Sequence, residues 1–207
     1  MKPTIRNARP VLSTGEVTEM AQPAARLRAD AARNRARVLE VAYETFAAEG
    51  LSVPIDEIAR RAGVGAGTVY RHFPTKEALF HAVIADRMQR FIDDGHALLE
   101  SAGPGEAIFA FLRLMVLRWG ATDRGMVEAL AGLGIDIEQA APDAEDAFLA
   151  MLEDLLRAAQ KAGTVRRDIG VREVKSILVG CQAMEAYNPE LAEQVTDVVV
   201  DGLRAGR

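Results

Sequence analysis

The chain has 207 residues, of which 49% are hydrophobic and 5% aromatic, and its formal net charge is −5. This length and apolar content suffice for one or two domains with buried cores. The single cysteine, Cys181, excludes an intrachain disulfide and a cysteine-rich metal site. Because the apolar runs are too short to cross a bilayer and the first 29 residues lack the apolar stretch of a secretory signal, we expect a cytoplasmic protein.

The charge is distributed unevenly along the chain. Residues 1–91 carry 14 Lys and Arg against 10 Asp and Glu, whereas residues 92–207 carry 11 against 20. An acidic protein can bind DNA when its positive charge is gathered at one end. Charge also fluctuates along any chain, so the asymmetry alone leaves both interpretations open.

The first third of the chain predicts a tail followed by helices. Residues 1–29 mix Pro, Thr, Ser, Arg and Gly without periodicity, which predicts a disordered, mildly basic tail whose arginines either contact phosphates or are only solvated. Apolar residues at helical spacing begin near Ala31 and end at Gly50. A second helix opens at Pro54 and ends at Gly63.

Two further helices and a hinge follow. A short third helix spans Ala66–His72, and Thr75 caps a fourth that runs from Lys76 to about Ser101. Beyond a hinge at 103–105, five more helical stretches are predicted: 106–121, 124–132, 142–162, 171–187 and a last one ending near Leu203. The run 198–200 favours a strand by local propensity, but its cap and apolar spacing favour helix. The fold is therefore predicted to be all-α, with about nine helices.

Residues 55–73 have the pattern of a helix-turn-helix. Gly63 can adopt the positive φ of a sharp turn, and Val69 and Phe73 are spaced to anchor the second helix of the pair. The opposite face of that helix is small and polar, which suits the major groove of DNA. Its residues are Ala66, Gly67, Thr68, Tyr70, Arg71 and His72.

Three segments, 46–50, 58–64 and 67–80, together resemble the DNA-binding domain of the TetR family of bacterial transcription regulators. The resemblance covers roughly residues 31–85. It implies that the third helix reads the major groove, that Tyr70 and Lys76 contact phosphates, and that Thr68, Arg71 and His72 touch bases or backbone. Where many relatives have polar residues, this chain has Val53-Pro54 and Gly65-Ala66, which implies fewer contacts from the start of the recognition helix.

Other arginines near the motif have an open role. Arg33, Arg35 and Arg37 in the first helix, and Arg60 and Arg61 in the second, are each either solvated or in contact with the DNA backbone.

The resemblance also implies a second domain. Residues 30–76 would form the DNA-binding module, and residues 77–207 a helical ligand-sensing and dimerisation domain whose last two helices pair with a second copy. A pocket is implied among its helices, and the sequence permits one at Phe109, Met115, Trp119, Phe148 and Met151, although such stripes are usually ordinary core. For the dimer surface we expect two groups of residues: Ile177, Leu178, Cys181 and Met184, then Leu191, Val195, Val198 and Val199.

The expected function is a repressor that a small apolar ligand releases from its DNA operator. The alternatives are a ligand-independent DNA-binding or architectural protein, an activator and, more distantly, a helical enzyme. No catalytic site, cofactor or metal is expected, because His72, His81 and His96 lack metal-ligand spacing and the chain has no nucleophile or phosphate-binding motif.

Overall fold

The protein is described here by a computed structural model covering residues 14–120 and 142–206, with side chains over 29–118 and 142–206. Within these ranges there are eight α-helices: α1 Thr14–Glu49, α2 Ile55–Ala62, α3 Ala66–His72, α4 Lys76–Ser101, α5 Ala107–Arg113, α6 Pro142–Ala162, α7 Val171–Tyr187 and α8 Ala192–Leu203. A π-helical segment, Leu114–Gly120, continues α5, and a 3₁₀ turn, Pro189–Leu191, precedes α8. The all-α prediction is confirmed, and the helix predicted over 124–132 lies outside the described residues.

The start of α1 corrects the prediction of a disordered tail for residues 14–29, because the helix already begins at Thr14, whereas residues 1–13 lie outside the described residues. The segment that follows is rich in Ala and Arg, which favour helix whether or not one face is buried. Apolar periodicity reports burial rather than helicity, and among the described side chains of α1 the first buried one is Val38. Periodicity therefore placed the start of the helix too late.

Helices α1 to α3 form a compact unit around a small apolar core. Phe46 of α1 meets Phe80 of α4 edge to face, with ring centroids 6.0 Å apart. Gly63 ends α2 in the left-handed conformation, with φ of 67°, which a side chain would strain. Neither Pro54 nor Gly65 caps its helix through a side chain, whereas the Thr75 hydroxyl accepts a hydrogen bond from the Ala78 N–H at 3.1 Å. The turn at Gly63 and the cap at Thr75, both predicted from the sequence, are thus present.

Helix α4 extends from this unit into the second one, where it is the central helix. It packs against α5 and α6, where the ring of Phe148 lies between those of Phe91 and Phe111, at centroid distances of 6.5 and 6.1 Å. Gly95 allows the close approach of α6, since a Cβ there would lie 2.2 Å from the Met151 sulfur. Contacts made along α4 thus connect its start at the helix-turn-helix to the second core.

Helices α7 and α8 close the second unit, and residues 198–200 are helical as the capping signal predicted. The inward face of α7 is Val174, Leu178 and Cys181, all buried, and burial raises the pKa of the Cys181 thiol. Leu178 and Cys181 are therefore core residues, which corrects their assignment to a dimer surface. In the part of the chain that the structure describes, no helix combines the length and apolar character needed to span a membrane.

Candidate nucleic-acid interface

Helix α3 packs against the core through part of its surface, and its remaining side chains are largely exposed to solvent. Val69 is 1% exposed and Phe73, directly after the helix, is 4% exposed, so both anchor α3 to the core. Away from these two side chains Tyr70 is 44% exposed, and Arg71 and His72 are also exposed. A tyrosine held in the core would be largely buried, so Tyr70 is not a core residue.

The first turn of α3 has little side-chain bulk. Ala66 is half-buried and packs partly against the core, and Thr68 is half-exposed. A Cβ added at Gly67 would meet nothing within 4 Å, so the surface there is open. Small residues at this end allow another molecule to approach the helix backbone closely.

Lys76 begins α4 beside this face and is half-buried. A lysine at a helix N-terminus is disfavoured by the helix dipole, so an external anion would be a more favourable neighbour than water alone. Within the described ranges no hydrogen bond or ion pair engages the side chains of Tyr70, Arg71 or Lys76. Their donors are therefore available to an external acceptor.

The arginines of α2 differ from these residues because they are paired within the protein. Glu57 accepts hydrogen bonds from Arg60, at 2.7 and 2.8 Å, and from Arg61 at 2.7 Å. Arg61 also forms hydrogen bonds with Glu49 at the end of α1, and the longer of them spans 3.2 Å. The bond from Arg60, followed by that from Arg61, lowers the pKa of Glu57 to about 2. These side chains join α2 to α1.

The predicted pocket residues of the second unit have different contacts. Phe148 and Met151 lie together against α4, and Phe109 lies under the guanidinium of Arg204, which is 4.2 Å from its ring centre. Met115 is buried within the π-helical segment. That segment also contains Trp119, whose side chain lies outside the described residues. The pocket therefore stays a prediction.

The π-helical segment is itself unusual, because π-helical turns are rare and are frequently found at functional sites. It packs against α7 and holds both Met115 and Trp119. Among the described residues there is no cluster of three or more His, Cys, Asp or Glu side chains that could bind a metal.

Comparison with known proteins identifies the family. Residues 38–83 match the family described as bacterial regulatory proteins of the tetR type, and residues 103–205 match the C-terminal domain of SbtR-like transcriptional regulators. A TetR transcription regulatory protein of Mycobacterium vanbaalenii, known from a crystal structure, is 61% identical, with 86% of this chain and 99% of that chain covered and a TM-score of 0.73. This chain belongs to the TetR family of transcription regulators.

Two further relatives support the assignment to the TetR family. A TetR transcriptional regulator of Streptomyces coelicolor is 34% identical over 84% of this chain and 99% of that one, with a TM-score of 0.69. A curated HTH-type transcriptional regulator of Staphylococcus aureus strain USA300 is 38% identical over 82 residues, which is 36% of this chain and 44% of that protein. The chain thus spans less than half the length of that curated relative. The matched families and relatives are transcription regulators and not enzymes, as the sequence indicated.

In this TetR-family chain, the pairing of Arg60 and Arg61 with carboxylates was not predicted from the sequence. The spacing of Glu57 to Arg60 and Arg61, three and four residues along one helix, was the available signal for it. The link from Arg61 to Glu49 had no such signal, because it depends on how α1 and α2 pack.

Proposed function

We propose that this TetR-family regulator is a homodimeric repressor that binds a double-stranded DNA operator and leaves it when a small apolar ligand binds the second unit. The observation that carries the proposal is the face of α3 where Tyr70, Arg71 and His72 are exposed, together with the half-buried Lys76 at the start of α4. That face consists of Ala66, Gly67, Thr68, Tyr70, Arg71, His72 and Lys76.

Each side chain of this face has a chemical role suited to DNA. The guanidinium of Arg71 can donate two hydrogen bonds to guanine O6 and N7, and Thr68 and His72 can reach base edges or phosphate oxygens. The Tyr70 hydroxyl and the Lys76 ammonium suit phosphate oxygens, which position the helix without reading sequence. Ala66 and Gly67 contribute by letting the helix backbone come close to the groove.

The homodimer is supported by apolar side chains that face outward on the last helices. Val179, Met184 and Tyr187 of α7 and Val198 of α8 are exposed, as is Leu191 in the turn between them. Two copies related by a two-fold axis would bury these residues against the same residues of the partner. The dimer would also set the distance between two recognition helices, which must fit successive turns of the major groove.

The ligand response is supported by the length and contacts of α4. This helix of 26 residues, about 39 Å long, begins at Lys76 and carries Phe91 and Gly95 against the Phe148 and Met151 side chains of α6. A ligand lodged among α4, α5 and α6 would shift α4 and so displace the DNA-facing end. Such a ligand releases DNA only if it binds the displaced arrangement more tightly.

A footprint tests the proposal. The purified protein is used to select fragments from the genome that encodes it, and the selected sites are mapped by nuclease protection. We expect protected sites with two-fold symmetry and half-sites separated by about one helical turn, 10–10.5 base pairs, or a multiple of it. Arg71→Ala should relax base preference within each half-site, whereas the exposed control Arg157→Ala on α6 should not. Protection without symmetry, or base preference unchanged in Arg71→Ala, would contradict the proposal.

A further inference from the structure

We propose that Arg35 of α1 is a further phosphate contact, held beside the recognition helix by a cation–π contact with Phe73. The inference rests on the proposed DNA-binding function and adds a residue outside the helix-turn-helix motif to the DNA interface. It also distinguishes Arg35 from the other arginines near the motif, which the sequence alone left equivalent.

The position of Arg35 follows from one contact. Its guanidinium carbon lies 5.6 Å from the centre of the Phe73 ring. Phe73 comes directly after α3, three residues after Tyr70 and three before Lys76. The Arg35 guanidinium therefore lies against the residue that follows α3, in the stretch of chain between the two residues that are proposed to hold phosphates.

The neighbouring arginines differ from Arg35 in their partners. Arg33 forms an ion pair with Asp30, and the Arg60 and Arg61 guanidinium groups are bonded to carboxylates. Arg35 is exposed, and over the described residues no carboxylate pairs with it. Arg37 is exposed as well, but it is two residues further along the helix, where side chains point to a different side.

The contact with Phe73 prepares the Arg35 guanidinium for a phosphate. A cation–π contact uses no oxygen acceptor, so the five N–H donors of the group stay available to phosphate oxygens. Because the buried Phe73 ring limits the orientations of Arg35, less side-chain entropy is lost when a phosphate binds. Lysine has the charge but lacks the planar group, so it would not be prepared in the same way.

The test measures DNA affinity against salt concentration for the full chain and three variants, on a selected operator and on unrelated duplex DNA. Each phosphate neutralised contributes about 0.9 to the slope of log K against log salt, so a dimer with Arg35→Gln should lose about 1.8. The loss of affinity should be similar on both DNAs, since phosphates carry no sequence. Arg35→Lys should keep most of the slope but bind several-fold more weakly, and Arg37→Gln should match the wild type.

Wild-type affinity and slope in Arg35→Gln would overturn the proposal, and an equal loss in Arg37→Gln would contradict a role specific to Arg35. Thermal unfolding of each variant separates DNA contact from folding. If Arg35→Gln unfolds at a lower temperature than the wild type, the Arg35→Lys variant decides. Weaker DNA binding by Arg35→Lys at wild-type stability supports the proposal. Wild-type DNA binding by Arg35→Lys refutes it. Failure here would leave the proposed function intact as long as the Tyr70→Ala/Lys76→Ala variant still loses DNA binding.

Discussion

The guanidinium of Arg87 lies 4.7 Å from the centre of the Tyr43 ring, and this contact joins α4 to α1. The Phe91 ring of α4 approaches the same guanidinium at 5.1 Å. Burial, more than any neighbouring charge, lowers the pKa of Arg87 to about 10. Contact with two aromatic rings offsets part of this unfavourable desolvation. The cation is therefore tolerated at the junction between the DNA-reading unit and α4, the central helix of the second unit.

This junction predicts a measurable coupling between Tyr43 and Arg87. In chemical denaturation, Tyr43→Leu and Arg87→Met should each lower the free energy of unfolding, and the double variant should lose less than their sum. The expected coupling is about 0.5–2 kcal/mol, the range of a partly desolvated cation–π contact. Tyr43→Phe keeps the ring and is the matched control, so it should retain most of the coupling. Strictly additive losses would show that the contact does not stabilise the junction.

A second prediction concerns acid stability. Hydrogen bonds from Arg60 and Arg61 lower the pKa of Glu57 from 4.5 to about 2 in the folded protein. A depressed folded-state pKa stabilises the fold above pH 4.5, and this contribution is lost as pH falls from about 4.5 to 2. Between these pH values the unfolding free energy of Glu57→Gln should therefore decline less steeply than that of the wild type. Parallel curves would contradict the pairing of Glu57, and the effect should be modest because solvent reaches this half-buried group.

Helix α8 provides a test of the dimer. Val198 is 67% exposed, so a charge at this position should leave the fold of one protomer intact while opposing its burial against a second. Val198→Glu should sediment as a monomer at micromolar concentration and lose operator affinity, whereas Ala150→Glu, at an exposed position of α6, should stay dimeric. A wild-type protein that is monomeric under these conditions, or a dimeric Val198→Glu, would refute the proposed interface.

Trp119 offers a reporter for the ligand. It is the single tryptophan of the chain and belongs to the π-helical segment that follows α5. We expect an apolar or aromatic compound to change its fluorescence and to weaken DNA binding over the same concentration range, by about 5- to 150-fold for a coupling of 1–3 kcal/mol. Trp119→Ala should weaken the ligand while DNA affinity without ligand stays unchanged. A compound that releases DNA equally well from Trp119→Ala would place the pocket elsewhere.

Much of the fold could be predicted because local signals decide it. The Thr75 cap fixed the start of α4, and Gly63 fixed the end of α2, since both act within one turn of their own helix. The orientation of α7 was predicted less well, and Leu178 and Cys181 were assigned to the surface although they lie in the core. An amphipathic helix with apolar residues on two sides does not reveal by itself which side faces its own core and which side faces a partner.

The burial pattern of α3 could be predicted from local spacing. Val69 and Phe73, four residues apart, anchor the short helix and leave Tyr70 exposed, whereas its contact with DNA stays a prediction. The cation–π contact of Arg35 with Phe73 joins residues 38 positions apart, so it depends on how α1 packs beside α3 and has no local signal. Family resemblance implies the roles of matching positions, which stay predictions, but the partners of each arginine required the structure.

The most direct test of the account compares the wild type with Lys76→Ala and Tyr70→Ala in the salt dependence of operator binding. Lys76→Ala removes one cation from each protomer, so the slope of log K against log salt should fall by about 1.8 for the dimer. Tyr70→Ala removes an uncharged donor and should weaken binding at an unchanged slope. Binding by the double variant with the affinity and slope of the wild type would contradict the claim that α3 and the start of α4 hold the DNA.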